Sequence, residues 1–135
     1  MHPGSTDLDA SILLHARSGF DTGERMSRTV DALRAELGSG PLLHRYSGMP
    51  EEEGAFVACA FWGVAALALV GRTDEAQDWM TELLDVANDV GIWPEMVDTG
   101  SGAFLGNLPQ ALSHLALVQA ALTLAPALRD DDPTT

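Results

Sequence analysis

The sequence predicts an all-α fold, a partial toroid of about five helices in which inner and outer helical hairpins alternate. Two observations support this prediction. The helical segments are in turn apolar all round and apolar on one face, which is typical of helices covered on both sides and of helices facing water. The links alternate as well, because the short links at 18 to 23 and 71 to 72 are each followed by a long one.

The first three helices are predicted at 8 to 17, 24 to 37 and 54 to 70. The first follows Asp7, which is suited to cap it, and ends at Gly19. The second carries a single apolar stripe and is therefore amphipathic. The third contains no charged residue, so we expect protein to cover it on both sides.

The last two helices are predicted at 74 to 90 and 108 to 125. The fourth has Asp74 and Glu75 in its first turn, where the helix dipole favours negative charge, and one buried stripe. The fifth has Asn107 at the N-cap position and is mostly apolar, as expected of a second fully covered helix.

A length of 135 residues, 46% of them hydrophobic, suits a single domain with a core of its own. We expect one domain over residues 1 to 135, with an ordered core at 7 to 125. Pro126 and the acidic residues after it are expected to end the order, which leaves a flexible tail at 126 to 135.

Charge and composition exclude several classes of function. The chain has 20 acidic residues against seven Arg and no Lys, a net charge of −13, so we expect neither nucleic-acid binding nor docking on anionic lipid. The sixteen uncharged residues at 55 to 70 are fewer than the roughly 20 that span a bilayer, so no membrane helix is expected.

The termini and the cysteine content bear on location and chemistry. The N-terminus lacks a basic segment followed by an apolar one, which favours a cytoplasmic location. The single cysteine, Cys59, has apolar neighbours and is expected to be a buried thiol. We find no spacing of metal ligands and no cofactor motif, and expect no cofactor.

The two long links, at 38 to 53 and 91 to 107, are the expected functional segments. Alternate connections of an up-and-down helical array fall at the same end, so both links should form one rim. Long loops in compact domains are usually functional. This rim would gather the polar and aromatic residues Arg45, Tyr46, Glu51, Glu52, Glu53, Trp93 and Glu95.

Three segments carry a family resemblance: LLHRYSG at 42 to 48, EEGAFVACAFW at 52 to 62 and GIWPEMVDTGSGAFLGNLPQALSH at 91 to 114. Together they resemble the C-terminal part of the catalytic domain of glycoside hydrolase family 15, the glucoamylase-, glucodextranase- and trehalase-like enzymes. The resemblance spans residues 7 to 124. It implies an (α/α)6 barrel with a sugar pocket at the N-terminal ends of the inner helices, and it leaves out the part that would carry the general acid.

The resemblance implies that Glu95 is the general base. The family pattern of a Glu followed two residues later by an apolar residue and then Asp reads here as Glu95, Met96, Val97, Asp98. An inverting glycosidase needs such a carboxylate to deprotonate water on the sugar face opposite the leaving group. Without the family pattern, Glu95 would read as an ordinary loop carboxylate. This sequence departs from the family pattern at Pro94 and Met96.

The resemblance also implies a set of sugar-binding residues. Arg45 and Tyr46 match an Arg-Tyr step whose Arg bonds sugar hydroxyls, although a salt bridge to the acidic run at 51 to 53 is an equal alternative. That run more simply complements the dipole of the next helix, with Glu53 as a candidate hydroxyl acceptor. Trp93 is the candidate stacking surface for the sugar.

His114 follows Ser113 in the fifth helix and has no acid partner nearby in the sequence. A nucleophile pair is therefore disfavoured, and we expect His114 to pack in the core or to bond residues of the site.

Two hypotheses follow for the function. The chain is a C-terminal fragment of an inverting, exo-acting α-glucosidase-type hydrolase that binds a small sugar and needs an N-terminal complementing portion with the general acid. The alternative is a non-catalytic helical module with weak sugar binding or a role in assembly. In both cases an incomplete ring would expose apolar helix surface and favour self-association.

Overall fold

The computed structural model describes residues 6 to 48 and 53 to 130. The helices are a 3-10 turn at Ala10–Leu13 leading into α1 (Leu14–Arg17), then α2 (Glu24–Leu37), α3 (Val57–Leu69), α4 (Thr73–Leu84) and α5 (Ala111–Asp130). The strands, two residues each, are β1 (Gly38–Ser39), β2 (Leu42–Leu43), β3 (Ala55–Phe56), β4 (Met96–Val97) and β5 (Phe104–Leu105). All five predicted helices are present, although the last three begin or end several residues from the predicted bounds.

α3 is the centre of the fold. It contacts each of the other four helices, and eleven of its thirteen residues are buried, as its uncharged sequence predicted. Gly63 lies against the ring of Trp79 in α4, which leaves no room for a side chain at that position. Cys59 is fully buried, and this burial raises the pKa of its thiol to about 12, so it is the inert core thiol that was expected.

α2 and α4 each pack one face on this centre, which confirms their predicted amphipathic character. The buried residues of α2 are Met26, Val30, Leu33 and Leu37, and those of α4 are Thr73, Ala76, Trp79, Met80 and Leu83. The Trp79 indole N–H donates a 2.7 Å hydrogen bond to the carbonyl of Pro41, and this bond ties α4 to the first long loop.

α5 departs from the prediction in its bounds and in its burial. It runs past Pro126 to Asp130, so residues 126 to 130 are helical where a flexible tail was expected; residues 131 to 135 of that tail lie outside the described part. Only Ser113, Ala116, Ala120 and Leu124 of α5 are buried, so one face packs on α3 and the opposite face is exposed.

The two long loops meet at the N-terminal end of α3, as their positions along the chain predicted. β1 and β2 form a small antiparallel pair within the first loop. β3 pairs antiparallel with β4, and β4 with β5, so the second loop forms a hairpin against the residues that lead into α3. These strands were not predicted.

Candidate functional site

The backbone around Glu95 is fixed by hydrogen bonds from two helix ends. The Trp93 carbonyl accepts from the Gln110 N–H at 3.0 Å, and the Glu95 carbonyl accepts from the Val57 N–H at 3.2 Å. The Glu95 N–H donates to the Asn107 carbonyl at 2.9 Å. Residues 93 to 95 are therefore held between the start of α3 and the residues that lead into α5.

Two side chains of α5 complete this attachment. The Ser113 hydroxyl is buried and donates to the carbonyl of Pro94 at 2.7 Å. His114 accepts from the Trp93 N–H at Nε2, at 3.4 Å, and its Nδ1 lies 2.7 Å from the Gln110 carbonyl. These partners require a neutral imidazole with its proton on Nδ1. His114 therefore bonds the backbone of the loop before Glu95 and of the residue before α5.

The carboxylate of Glu95 is half-buried and held by one oxygen. Its Oε2 accepts from the main-chain N–H of Asn107 at 3.1 Å and from the side-chain Nδ2 at 3.2 Å. Within the described ranges, 6 to 48 and 53 to 130, no hydrogen-bond donor reaches Oε1. A carboxylate held in this way keeps one oxygen able to accept a proton.

Arg45 lies at the same end of the helices as Glu95. Its guanidinium carbon is 5.5 Å from the centre of the Phe56 ring, and Phe56 pairs with Met96, the residue that follows Glu95. Among the described residues no ion pair joins Arg45 to Glu53, while residues 51 and 52 of the acidic run lie outside them. Arg45 is exposed.

Tyr46 and Glu53 lie at the same rim. The Tyr46 side chain is 40% exposed, and its backbone forms a bridge with Asp9. Glu53 is exposed and immediately precedes Gly54, whose backbone packs against the Val97 carbonyl. Both residues have the exposure that a sugar-hydroxyl contact requires.

Trp93 does not form the stacking surface expected of it. Its side chain is 1% exposed and meets the Phe61 ring of α3 edge-on, with the ring centres 5.0 Å apart. The hydrogen bonds that fix the loop on α5 turn the indole into the core, where it anchors Glu95 instead of facing a ligand.

Asp98 has a structural role beyond the site. Its Oδ1 accepts from the backbone N–H groups of Gly100 and Ser101, each at 2.8 Å, and these bonds hold the pKa of its carboxyl below the usual value. The turn after β4 is therefore closed by Asp98, which brings β5 back alongside β4.

Sequence reasoning missed part of this site. Asn107 was expected to cap the last helix, yet that helix begins at Ala111 and Asn107 binds Glu95 instead. Gly106, with φ +73°, lies directly against the Glu95 side chain. No local pattern distinguishes an Asn that caps a helix from one that turns to a distant carboxylate.

The chain is similar in sequence to trehalases over almost its whole length. It is 37% identical over 131 residues to the trehalase of Thermoplasma volcanium, covering 93% of this chain and 21% of the relative. It is 35% identical over 137 residues to the trehalase of Mycolicibacterium smegmatis, and 36% identical over 137 residues to that of Mycobacterium tuberculosis. In both cases the match covers 96% of this chain and 20% of the relative. No protein-family model matches the chain.

Solved structures share the fold. A wild-type glycosidase matches 90% of this chain with a TM-score of 0.77 at 22% identity, and a glycosidase point variant matches with a TM-score of 0.78 at 21% identity. The match covers 37% of either glycosidase chain. The chain thus spans about a fifth of the length of the trehalases it resembles in sequence, and it shares its fold with part of the two glycosidases.

Proposed function

We propose that this chain is the C-terminal part of an inverting, exo-acting α-glucoside hydrolase of glycoside hydrolase family 15, with Glu95 as general base. The observation that carries the proposal is the attachment of Glu95, whose backbone is fixed between α3 and α5 and whose Oε1 receives no hydrogen bond from residues 6 to 48 or 53 to 130. The relatives are named trehalases, so trehalose is the α-glucoside that we propose first.

In the proposed reaction Glu95 takes a proton from a water molecule through Oε1. The water oxygen bonds to the anomeric carbon as the glycosidic bond breaks on the opposite face, and the leaving oxygen takes a proton from a general acid. Inversion requires the two carboxyl groups to be about 6.5 to 9.5 Å apart, which leaves room for the water. We propose that this acid lies outside the present chain.

Sugar binding is assigned to the exposed rim residues. Arg45 offers a planar fork of donors to sugar hydroxyls, and its stacking on Phe56 limits the directions it can take. Tyr46 offers a hydroxyl and Glu53 a carboxylate acceptor from the same rim. Trp93 has no part in binding because it is buried.

The exposed face of α5 supports the need for a further helical portion. Five large apolar side chains, along α5 and just before it, are each 43% to 70% exposed: Leu108, Leu112, Leu115, Val118 and Leu122. We call them the α5 stripe. The chain spans 20% to 22% of the length of the curated relatives it matches, so the remainder of such a polypeptide is available to cover this face. We propose that this remainder completes an (α/α)6 toroid against the α5 stripe.

α5 has a second possible environment to be tested. It is 20 residues long, enough by length and composition to cross a membrane, and an 18-residue window of it has a mean hydropathy of 1.6 with 22% of that window buried. Because its buried face packs on α3, we place a protein partner on the stripe. Binding to lipid vesicles in place of a protein partner would contradict this assignment.

The function is tested with a complemented chain, meaning this chain mixed with the part of the M. smegmatis trehalase that lies outside the matched segment. We expect the isolated chain to leave trehalose and maltose intact and the complemented chain to hydrolyse trehalose. Glu95→Gln should lower kcat by about 10² to 10⁴, the usual contribution of a general base. Arg45→Ala should mainly raise KM, because a hydroxyl contact binds ground state and transition state alike.

The contrary outcomes are distinct. Full turnover by the Glu95→Gln variant would remove Glu95 as the base. Binding without any turnover in the complemented chain would favour the non-catalytic helical module.

A further inference from the structure

We propose that Gly106 and Asn107 form a seat for the Glu95 carboxylate, in which Asn107 is a positioning residue that holds Oε2 and so selects Oε1 as the proton-accepting atom. The inference rests on the proposed role of Glu95 as general base. It adds a residue that no motif and no relative's name assigns.

The first argument is the convergence of donors from one residue. The main-chain N–H and the side-chain Nδ2 of Asn107 both donate to Oε2, at 3.1 Å and 3.2 Å. The Asn107 carbonyl also accepts from the Glu95 N–H at 2.9 Å. Asn107 thus holds the backbone and the carboxylate of Glu95 together, and two donors on one oxygen oppose rotation of the carboxylate.

The second argument is the space that Gly106 leaves. A Cβ at this position would lie 2.6 Å from Oε2 and 3.0 Å from the Cβ of Glu95. The φ of Gly106 is +73°, a conformation that residues with side chains rarely adopt. The carboxylate can therefore reach Asn107 only because residue 106 has no side chain.

The third argument is chemical. The side chain of Asn is an uncharged donor, so it orients the carboxylate without placing a positive charge beside the base. Its hydrogen bonds also distinguish the two chemically equivalent oxygens of the carboxylate, since one oxygen accepts from Asn107 and the other accepts from none of the described residues. A general base acts through one oxygen that must lie within reach of the water it deprotonates.

The contact is tested first on the isolated chain, by a pH titration followed in amide ¹⁵N NMR spectra. We expect the main-chain and side-chain N–H signals of Asn107 to move with the protonation of Glu95. Glu95→Gln should abolish that movement while the signals of Gly100 and Ser101, which are bonded to Asp98, still titrate. If the Asn107 signals move with pH in the Glu95→Gln variant as they do in the unchanged chain, the proposed contact between Asn107 and Glu95 is wrong.

The role is tested on the complemented chain with Asn107→Ala. Loss of orientation should lower kcat by about 10- to 100-fold and leave KM within about two-fold, because small misplacements of a reacting group cost rate. Asn88→Ala is the matched control: its side chain accepts from the backbone of Val90 and Ile92, so it should lower stability with kcat kept.

The outcomes separate the two proposals. If Glu95→Gln keeps its turnover, the base assignment fails whatever the spectra show. If Glu95→Gln is inactive while Asn107→Ala keeps full kcat, the base assignment stands and the seat is overturned.

Discussion

At the scale of single residues, the site depends on which groups can approach Glu95. A glycine and an amide lie against one face of its carboxylate, and the other oxygen is open within the described part of the chain. Trp93 is buried, whereas Arg45 is exposed. The chemistry expected of the rim therefore rests on fewer side chains than the loop sequences suggested.

Gly106→Ala offers a direct test at this scale. The new Cβ should force the flexible end of Glu95 away, so the complemented chain should lose most of its kcat. Gly102→Ala is the matched control, because Gly102 has nearly the same φ, +74°, with nothing within 4 Å of its added Cβ. Both variants should lose about 1 to 2 kcal/mol of stability from backbone strain, measured by urea unfolding. Equal activity in the two variants would contradict the steric argument.

At the scale of elements, α5 serves the site as well as the core. Its first turn, with Ser113 and His114, and the preceding Gln110 hold the loop before Glu95, while its buried face packs on α3. The loop is therefore attached to the most apolar pair of helices in the fold. Because the attachment uses one buried hydroxyl and one neutral imidazole, it adds no charge to the core.

Ser113→Ala should show how much this attachment contributes. The change leaves the carbonyl of Pro94 without its buried donor, at a cost of about 1 to 3 kcal/mol in the free energy of unfolding. Thr123→Ala on the same helix is the control, since its hydroxyl bonds the carbonyl of Gln119 one turn earlier and its loss should change stability by less than about 0.5 kcal/mol. Urea unfolding monitored by tryptophan fluorescence measures both. Similar losses of unfolding free energy in the two variants would mean that the Ser113 hydrogen bond stabilises the fold no more than the Thr123 bond does.

At the scale of the whole molecule, the exposed faces of the helices differ in polarity. α2 and α4 face solvent over polar surfaces, whereas the α5 stripe presents large apolar side chains. An exposed contiguous apolar surface of this kind is typical of an interaction site.

Charging the stripe should abolish complementation. Leu115→Glu and Leu122→Glu, whose side chains are 60% and 70% exposed, should prevent the trehalase remainder from co-eluting in size-exclusion chromatography and leave the isolated chain folded. Leu84→Glu is the control, because Leu84 is 51% exposed on α4, away from the stripe. If Leu84→Glu prevents co-elution and the two stripe variants do not, the interface lies outside the α5 stripe. Self-association that persists in all three variants would show that the stripe does not drive it.

Acid should destabilise the fold through its surface carboxylates. The pKa of Asp21 is lowered by the hydrogen bond from Arg25, that of Glu75 by Arg72, and that of Asp98 by the N–H of Ser101. A lowered folded-state pKa means that the stabilisation is present above the unfolded value of 3.8 for Asp or 4.5 for Glu. It is lost as pH falls through the folded value. We expect the Tm to decrease as the pH is lowered beyond about 4, and to decrease less steeply in the Asp98→Asn variant. A flat Tm down to about pH 2.5 would contradict this linkage.

The sequence by itself determined the helices, the buried centre and the end of the molecule where the loops meet. Apolar spacing is a local property, so the one-faced α2 and α4 and the fully covered α3 could be read from it, and the alternation of short and long links placed Glu95 at the same rim as Arg45.

Only the tertiary structure decided how the site is built. The bond from Asn107 to Glu95 joins residues 12 apart, and the one from Trp93 to His114 joins residues 21 apart. Such contacts depend on how helices and loops pack and leave no periodic signal in the sequence. The burial of Trp93 has the same origin, because an indole in a loop points inward or outward according to the bonds that hold its backbone.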